Sequence, residues 1–130
     1  MFLNFPHLEI DSMEWIAIVG SRRYPKLGRV KRLVERLAET NPSCVIVTGG
    51  AQGVDYVAEG TAKALGLKVL ICTPAWERYG KSAGYQRNKD IVEISDRVIA
   101  FWDGKSKGTK ITIDLAKQMH KSLVIKGVTK

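Results

Sequence analysis

Five short apolar runs recur along the chain: WIAIVG (15–20), CVIVTGG (44–50), LKVLIC (67–72), RVIAFW (97–102) and SLVIK (122–126). Runs this short and this continuously apolar suit strands buried on both faces of a parallel sheet. The segments between them have a different period. Leu27, Val30, Leu33, Val34, Leu37 and Ala38 recur at helical spacing until Asn41-Pro42 stops the helix. Val54, Val57, Ala58, Thr61, Ala62 and Leu65 make a second apolar face, ended by Gly66. Residues 110–120 read as a last helix with Ile111, Leu115, Ala116 and Met119 inward. The third gap is less regular. PAWERYGKSAGYQ (74–86) reads as an irregular piece, and NKDIVEISD (88–96) then begins a short helix. Alternating strands and helices with right-handed crossovers predict one α/β architecture. It is a Rossmann-like doubly wound, five-stranded, mainly parallel sheet with helices on both faces.

A length of 130 residues is one domain. Residues 1–12 contain Pro6 and show no sustained period, so they are read as an N-terminal extension to a single domain over 13–130.

Ligands of such sheets sit beyond the carboxyl ends of the strands. Four loops reach that edge: GSRRYP (20–25), TGGAQGVD (48–55), TPAWERYGKSAGYQRN (73–88) and WDGKSKGT (102–109). In the first, Gly20 precedes Ser21, a helix cap or a phosphate contact, and Arg22, which suits phosphate or carboxylate. In the second, Gly49, Gly50 and Gly53 follow a strand. They serve either a tight turn or a close approach of backbone N–H groups to an anion. Their GGxxG spacing is neither a dinucleotide fingerprint nor a P-loop. Asp55 then caps the helix or takes ribose hydroxyls, and Glu59 lies one turn later on the same face. In the third, Trp76 and Tyr79 lie near Arg87 and Asn88. Aromatics beside basic and amide groups suit a planar base next to a phosphate, and equally suit packing of a long loop. In the fourth, Asp103, Gly104, Ser106, Gly108 and Thr109 precede a helix. They make an anion site, or Thr109 is a simple N-cap.

The formal net charge of +8 brings polyanions into consideration. Between Arg22 and Arg36 there are seven basic residues and one acid, Glu35. No run is long and apolar enough to span a bilayer, and the start lacks the pattern of a secretory signal, so a cytoplasmic protein is expected. Cys44 and Cys72 have no partners at metal-ligand spacing, which points to reduced thiols and no metal.

GSR after the first strand, GGAQGVDYVAE, PAWERYGKSAGYQRN and SDRVIAFWDGKSKGT with the closing helix together resemble the SLOG superfamily. They resemble more closely its small bacterial and phage branch related to YspA and YpsA. The match extends over 15–126. It implies a Rossmann-like domain that binds a nucleotide or nucleotide-derived ligand, with no cofactor, and a homodimer. The superfamily also contains the Lonely Guy phosphoribohydrolases, which cleave the N-glycosidic bond of nucleoside monophosphates, and DNA-processing proteins that bind single-stranded DNA. The hydrolases' catalytic arginine corresponds to Arg87, spaced from Asp96 as in that branch. Their PGGxGTxxE loop corresponds to Asp103-Gly104 through Gly108-Thr109. This chain departs from it: Lys110, Ile111 and Thr112 follow, and the nearest acid is Asp114.

Three functions therefore stand at the level of sequence. The first is a ligand-binding or sensing module for a nucleotide-like molecule, with Arg22 and Arg87 on phosphate and Trp76 or Tyr79 on the base. The second is a nucleotide N-glycosidase using Arg87 with Asp55, Glu59 or Asp114. The third is single-stranded DNA binding through the basic 22–36 face. For a dimer, Val54, Val57 and Ala58 are candidate contacts, with core packing as the simpler use.

Overall fold

A strand buried on both sides must send alternate residues to opposite layers. In the computed structural model, which describes residues 13–129, β1 (Trp15–Gly20) does this at the centre of the molecule. Ile16 and Ile18 face one layer, Ala17 and Val19 the other. β2 (Val45–Thr48) and β4 (Arg97–Phe101) flank it, β3 (Lys68–Ile71) and β5 (Ser122–Lys126) form the edges, and the order is β3-β2-β1-β4-β5. Every pairing is parallel.

Two helices cover each face. α1 (Leu27–Thr40) and α2 (Val54–Ala64) bring Val30, Val34, Leu37, Val54, Ala58 and Ala62 against Ile16, Ile18, Ile46, Ile99 and Phe101. On the other face α4 (Ala83–Ile94) and α5 (Lys107–Gln118) bring Ile91, Val92, Ile113, Leu115 and Ala116 against Ala17, Val19, Val45, Val47, Val98 and Ala100. The doubly wound parallel sheet expected from the sequence is the fold observed. Val54 and Ala58 are fully buried between α2 and the sheet, so they offer no surface to a partner. No described helix is long and apolar enough to cross a membrane. The proposed extension over 1–12 lies outside the described residues.

Two local readings change. Residues 74–86 are mostly helical: α3 (Trp76–Tyr79) leads through a 3₁₀ turn (Gly80–Ser82) into α4, which starts at Ala83 and not at Asn88. The helical signal is hidden because only Ala83, Ile91 and Val92 of α4 are buried, while Trp76, Tyr79 and Tyr85 stand exposed. In α5 the inward positions are Thr109, Thr112, Ile113, Leu115 and Ala116, and Ile111 is exposed. Thr112 can face inward because its hydroxyl donates back to the carbonyl of Gly108 at 3.2 Å, which leaves the methyl to pack.

Candidate functional site

The chain leaves β3 at one edge and crosses to β4 on the far side of β1, which makes the β1/β4 boundary the topological switch point. There the loops after neighbouring strands diverge and leave a crevice. A cavity of about 550 Å³ occupies it. Its floor includes Val19. Its walls come from the β1–α1 loop (Gly20, Ser21, Arg22, Arg23), α4 (Arg87, Asn88, Ile91), the β4–α5 loop and the first turns of α5.

The β4–α5 loop is folded by its own polar groups. The Asp103 carboxylate accepts the backbone N–H groups of Lys105 and Ser106, each at 2.8 Å, which holds it below the usual carboxylate range. The indole of Trp102 donates to the Ser106 carbonyl at 3.0 Å. Ser106 then caps α5, accepting the Thr109 N–H at 3.4 Å. Ser21 is buried and its hydroxyl accepts the Asp103 N–H at 3.2 Å, with the Thr109 hydroxyl 3.5 Å away. The result is a hydroxyl-lined wall at the positive end of α5, an environment suited to an anion.

The glycine loop contributes Ala51 and Asp55 to the cavity. Asp55, 5% exposed, accepts the N–H groups of Gly49 (2.9 Å) and Ala51 (3.4 Å), so it ties α2 to the turn that precedes it. At Gly53 the backbone has φ +80°, and an added Cβ would lie 2.5 Å from the Arg22 carbonyl oxygen. The first two loops are therefore interlocked at backbone level. Arg87 links α4 to the glycine loop. Its Nη1 donates to the Gly49 carbonyl at 2.6 Å and its Nε to the Asn88 side-chain oxygen at 2.8 Å. Gly49 has no side chain to obstruct this: a Cβ there would meet Nη1 at 2.8 Å.

Burial is the main reason that the Asp55 carboxyl is pushed up to about 6 from 3.8; the Gly49 and Ala51 N–H groups and Arg87 pull it down, and Glu59 pushes it up. Below pH 3.8 both folded and unfolded chains hold this proton. Between 3.8 and about 6 only the folded chain does, so this group lowers stability as pH rises. The full penalty, about 3 kcal/mol, is present above pH 6. Asp55→Asn carries no charge and keeps an acceptor. Its unfolding free energy relative to wild type should therefore improve by about that amount from pH 3 to pH 7. Denaturant titrations at the two pH values check this, and parallel pH profiles would contradict it.

Of the residues singled out from sequence, the cavity wall contains Gly20, Ser21, Arg22, Asp55, Arg87, Asn88, Asp103, Ser106, Gly108 and Thr109. Gly49, Gly50 and Gly53 shape the loop behind Asp55, and Gly104 turns the β4–α5 loop with φ +82°; none of them lines the cavity. Glu59 accepts the Thr48 hydroxyl and is outside the wall. Trp76 and Tyr79 are 59% and 39% exposed and do not line it either. Asp114 pairs with Lys110 at 3.0 Å, away from the cavity. Sequence reasoning missed Arg23, Ala51, Lys105, Thr112, Val19 and Ile91, which also line it. The first three sit in the loops already singled out, so their place in the chain was the available signal. Arg22, Arg23, Arg87 and Lys105 give the cavity four cations against the carboxyls of Asp55 and Asp103.

A model of the YspA, cpYpsA-related SLOG family matches residues 15–79, from β1 through α3. The gene 61 protein of Mycobacterium phage D29 is 33% identical over 105 residues, covering 75% of this chain and 84% of that protein. Among solved structures, DNA processing protein A from Helicobacter pylori, described for its single-stranded DNA binding mode, is similar with a TM-score of 0.72. It is 25% identical, over 91% of this chain and 67% of that one. DNA processing protein A from Streptococcus pneumoniae matches with a TM-score of 0.74 and 23% identity, over 91% of this chain and 52% of its own. The chain thus spans about half of the pneumococcal protein, and that likeness concerns the fold.

Proposed function

The chain belongs to the YspA, cpYpsA-related SLOG family, and from that premise we propose that its switch-point cleft binds a nucleotide or nucleotide-derived ligand as a binding or sensing module. One observation carries the reading: a cavity of about 550 Å³ at the strand ends, lined by four cations and by the first turn of α5. That volume lies within the range of small-molecule sites. In this reading a phosphate sits at the first turn of α5, against the Ser21 and Thr109 hydroxyls, and Arg22, Arg87 and Lys105 neutralise it. Asp55 meets the ribose, and the apolar side chains of Val19 and Ile91 receive part of the base. The single-stranded DNA named for the H. pylori neighbour has the same phosphate and base chemistry, which supports this class of ligand. Two free thiols, Cys44 and Cys72, support a reducing, cytoplasmic setting.

A second reading is hydrolysis of a nucleotide N-glycosidic bond. It is favoured by a carboxyl with a pKa of about 6 sharing the cavity with Arg87. Such a group is suited to general acid–base work near neutrality.

The test is incubation of the purified protein with nucleoside mono- and diphosphates and ADP-ribose, with mass spectrometry of retained ligand and of released base. Intact retained ligand is the expected result. Release of free base, abolished by Asp55→Asn, would make the protein a hydrolase. Neither retention nor release across the panel would overturn both readings.

A further inference from the structure

On the α1 side of the sheet, a second concave surface of about 290 Å³ is lined by Arg29, Arg32, Leu33, Arg36, Phe101 and Lys126. Four of these six are cations, and among the described residues no carboxylate lines it. Arg29, Arg32 and Arg36 stand at i, i+3 and i+7, so they form one row along α1, about 10 Å long at the helical rise. Lys126 supplies the opposite bank from β5. Part of the groove is fixed in place. Arg29 donates to the Gly127 carbonyl at 3.0 Å, and the Tyr24 hydroxyl donates to the same oxygen. Tyr24 in turn packs edge-on against Phe101, with centroids 5.4 Å apart.

The groove borders the nucleotide cleft. The Phe101 carbonyl, beneath the groove, accepts the N–H of Ser21 in the cleft wall at 3.0 Å. The loop that leads from Ser21 to α1 carries Arg22 and Arg23. Cations therefore continue from the cleft over this loop and along α1. Core packing accounts for Leu33 and Phe101. It does not account for four cations converging on one concavity, where they repel each other unless an anion joins them.

We propose that this groove is a phosphate track that takes the sugar–phosphate backbone of a single-stranded nucleic acid. A linear row of charges fits a polymer of phosphates better than one compact anion. A narrow concavity with one cationic helix row fits one strand. An acidic protein partner is disfavoured because the only apolar residues lining the groove, Leu33 and Phe101, are half-buried and buried, so it offers no exposed aromatic or aliphatic anchor. The residues differ from those of the cleft, so the two proposals stand or fall separately.

The experiment is fluorescence anisotropy of a labelled oligothymidylate over a salt titration. Each phosphate contact on a single strand contributes about 0.7 to the slope of log K against log salt. Arg32→Gln with Arg36→Gln, both at exposed positions, should weaken binding about tenfold and reduce the slope by about 1.4. Lys126→Gln, on a different element, should reduce both again, while retention of a mononucleotide by the cleft stays unchanged. Unaltered affinity and slope in these variants would overturn the proposal. So would equal competition by polyglutamate, which would assign the groove to acidic protein, or binding abolished by Arg87→Ala alone.

Discussion

Gly53→Ala is expected to destabilise the fold by about 2–6 kcal/mol and to remove ligand binding by the cleft. Two costs add. At φ +80° and ψ −121° an L side chain is strained, at about 1–3 kcal/mol. The new methyl would also lie 2.5 Å from the Arg22 carbonyl oxygen and 3.0 Å from the carbon behind it. Those are backbone atoms and have no rotamer to escape into, so either α2 or the β1–α1 loop must move, at a further cost of about 1–3 kcal/mol. Movement of that loop displaces Arg22 and Ser21 together. Gly60 provides the contrast. It lies inside the same helix, and a Cβ there meets nothing within 4 Å. Gly60→Ala should therefore stabilise, by about 0.5–1 kcal/mol. Urea unfolding of both variants decides the matter, and a loss below 1 kcal/mol for Gly53→Ala would mean that the two loops are not locked.

Arg87→Ala should weaken nucleotide binding by about a hundredfold, the cost of losing a charge-assisted fork in a partly enclosed site. The guanidinium does two jobs with fixed geometry. Nη1 holds the Gly49 carbonyl and Nε the Asn88 oxygen, which aims the remaining edge of the group. An ammonium can replace one of these bonds but cannot hold both partners and still present a donor to phosphate. Arg87→Lys should therefore recover less than a tenth of the lost affinity. Titration calorimetry with the ligand retained by the wild-type protein measures this, and near-complete recovery by lysine would reduce Arg87 to a point charge.

β1, β2 and β4 were legible because both their faces are covered, and burial on two sides leaves an uninterrupted apolar run; the edge strands β3 and β5 keep apolar runs although they are only partly buried. The loops at the ligand edge were legible for the complementary reason: glycine, hydroxyl and arginine are concentrated where the chain leaves the sheet. What the sequence concealed was geometry without a pattern of its own. α4 buries so little that Gly84 and the exposed Tyr85 mask its period. Thr112 looks polar by type, yet satisfies its hydroxyl within α5 and turns inward in place of Ile111. Asp55 looked like a ligand contact or a cap; only the folded loop shows that it also grips the Gly49 and Ala51 N–H groups. Trp76 and Tyr79 are near Arg87 in sequence, but the turns of α3 and α4 place them outside the cavity wall. Spacing along a chain does not reveal such a divergence when the intervening residues are helical and were read as loop.

The central position of β1 also bears on how the molecule comes into being. Its first partner, β2, follows it closely, but its second, β4, lies some eighty residues further along, with Ile16 aligned on Arg97 and Gly20 on Phe101. During vectorial synthesis the β1–β2–β3 half emerges first, with one flank of β1 still an open edge. The cleft belongs to the flank that is completed last, since Asp103, Ser106 and Thr109 follow β4. A ligand of this cleft therefore cannot template the early steps of folding. It can only select chains whose sheet has already closed around their oldest strand.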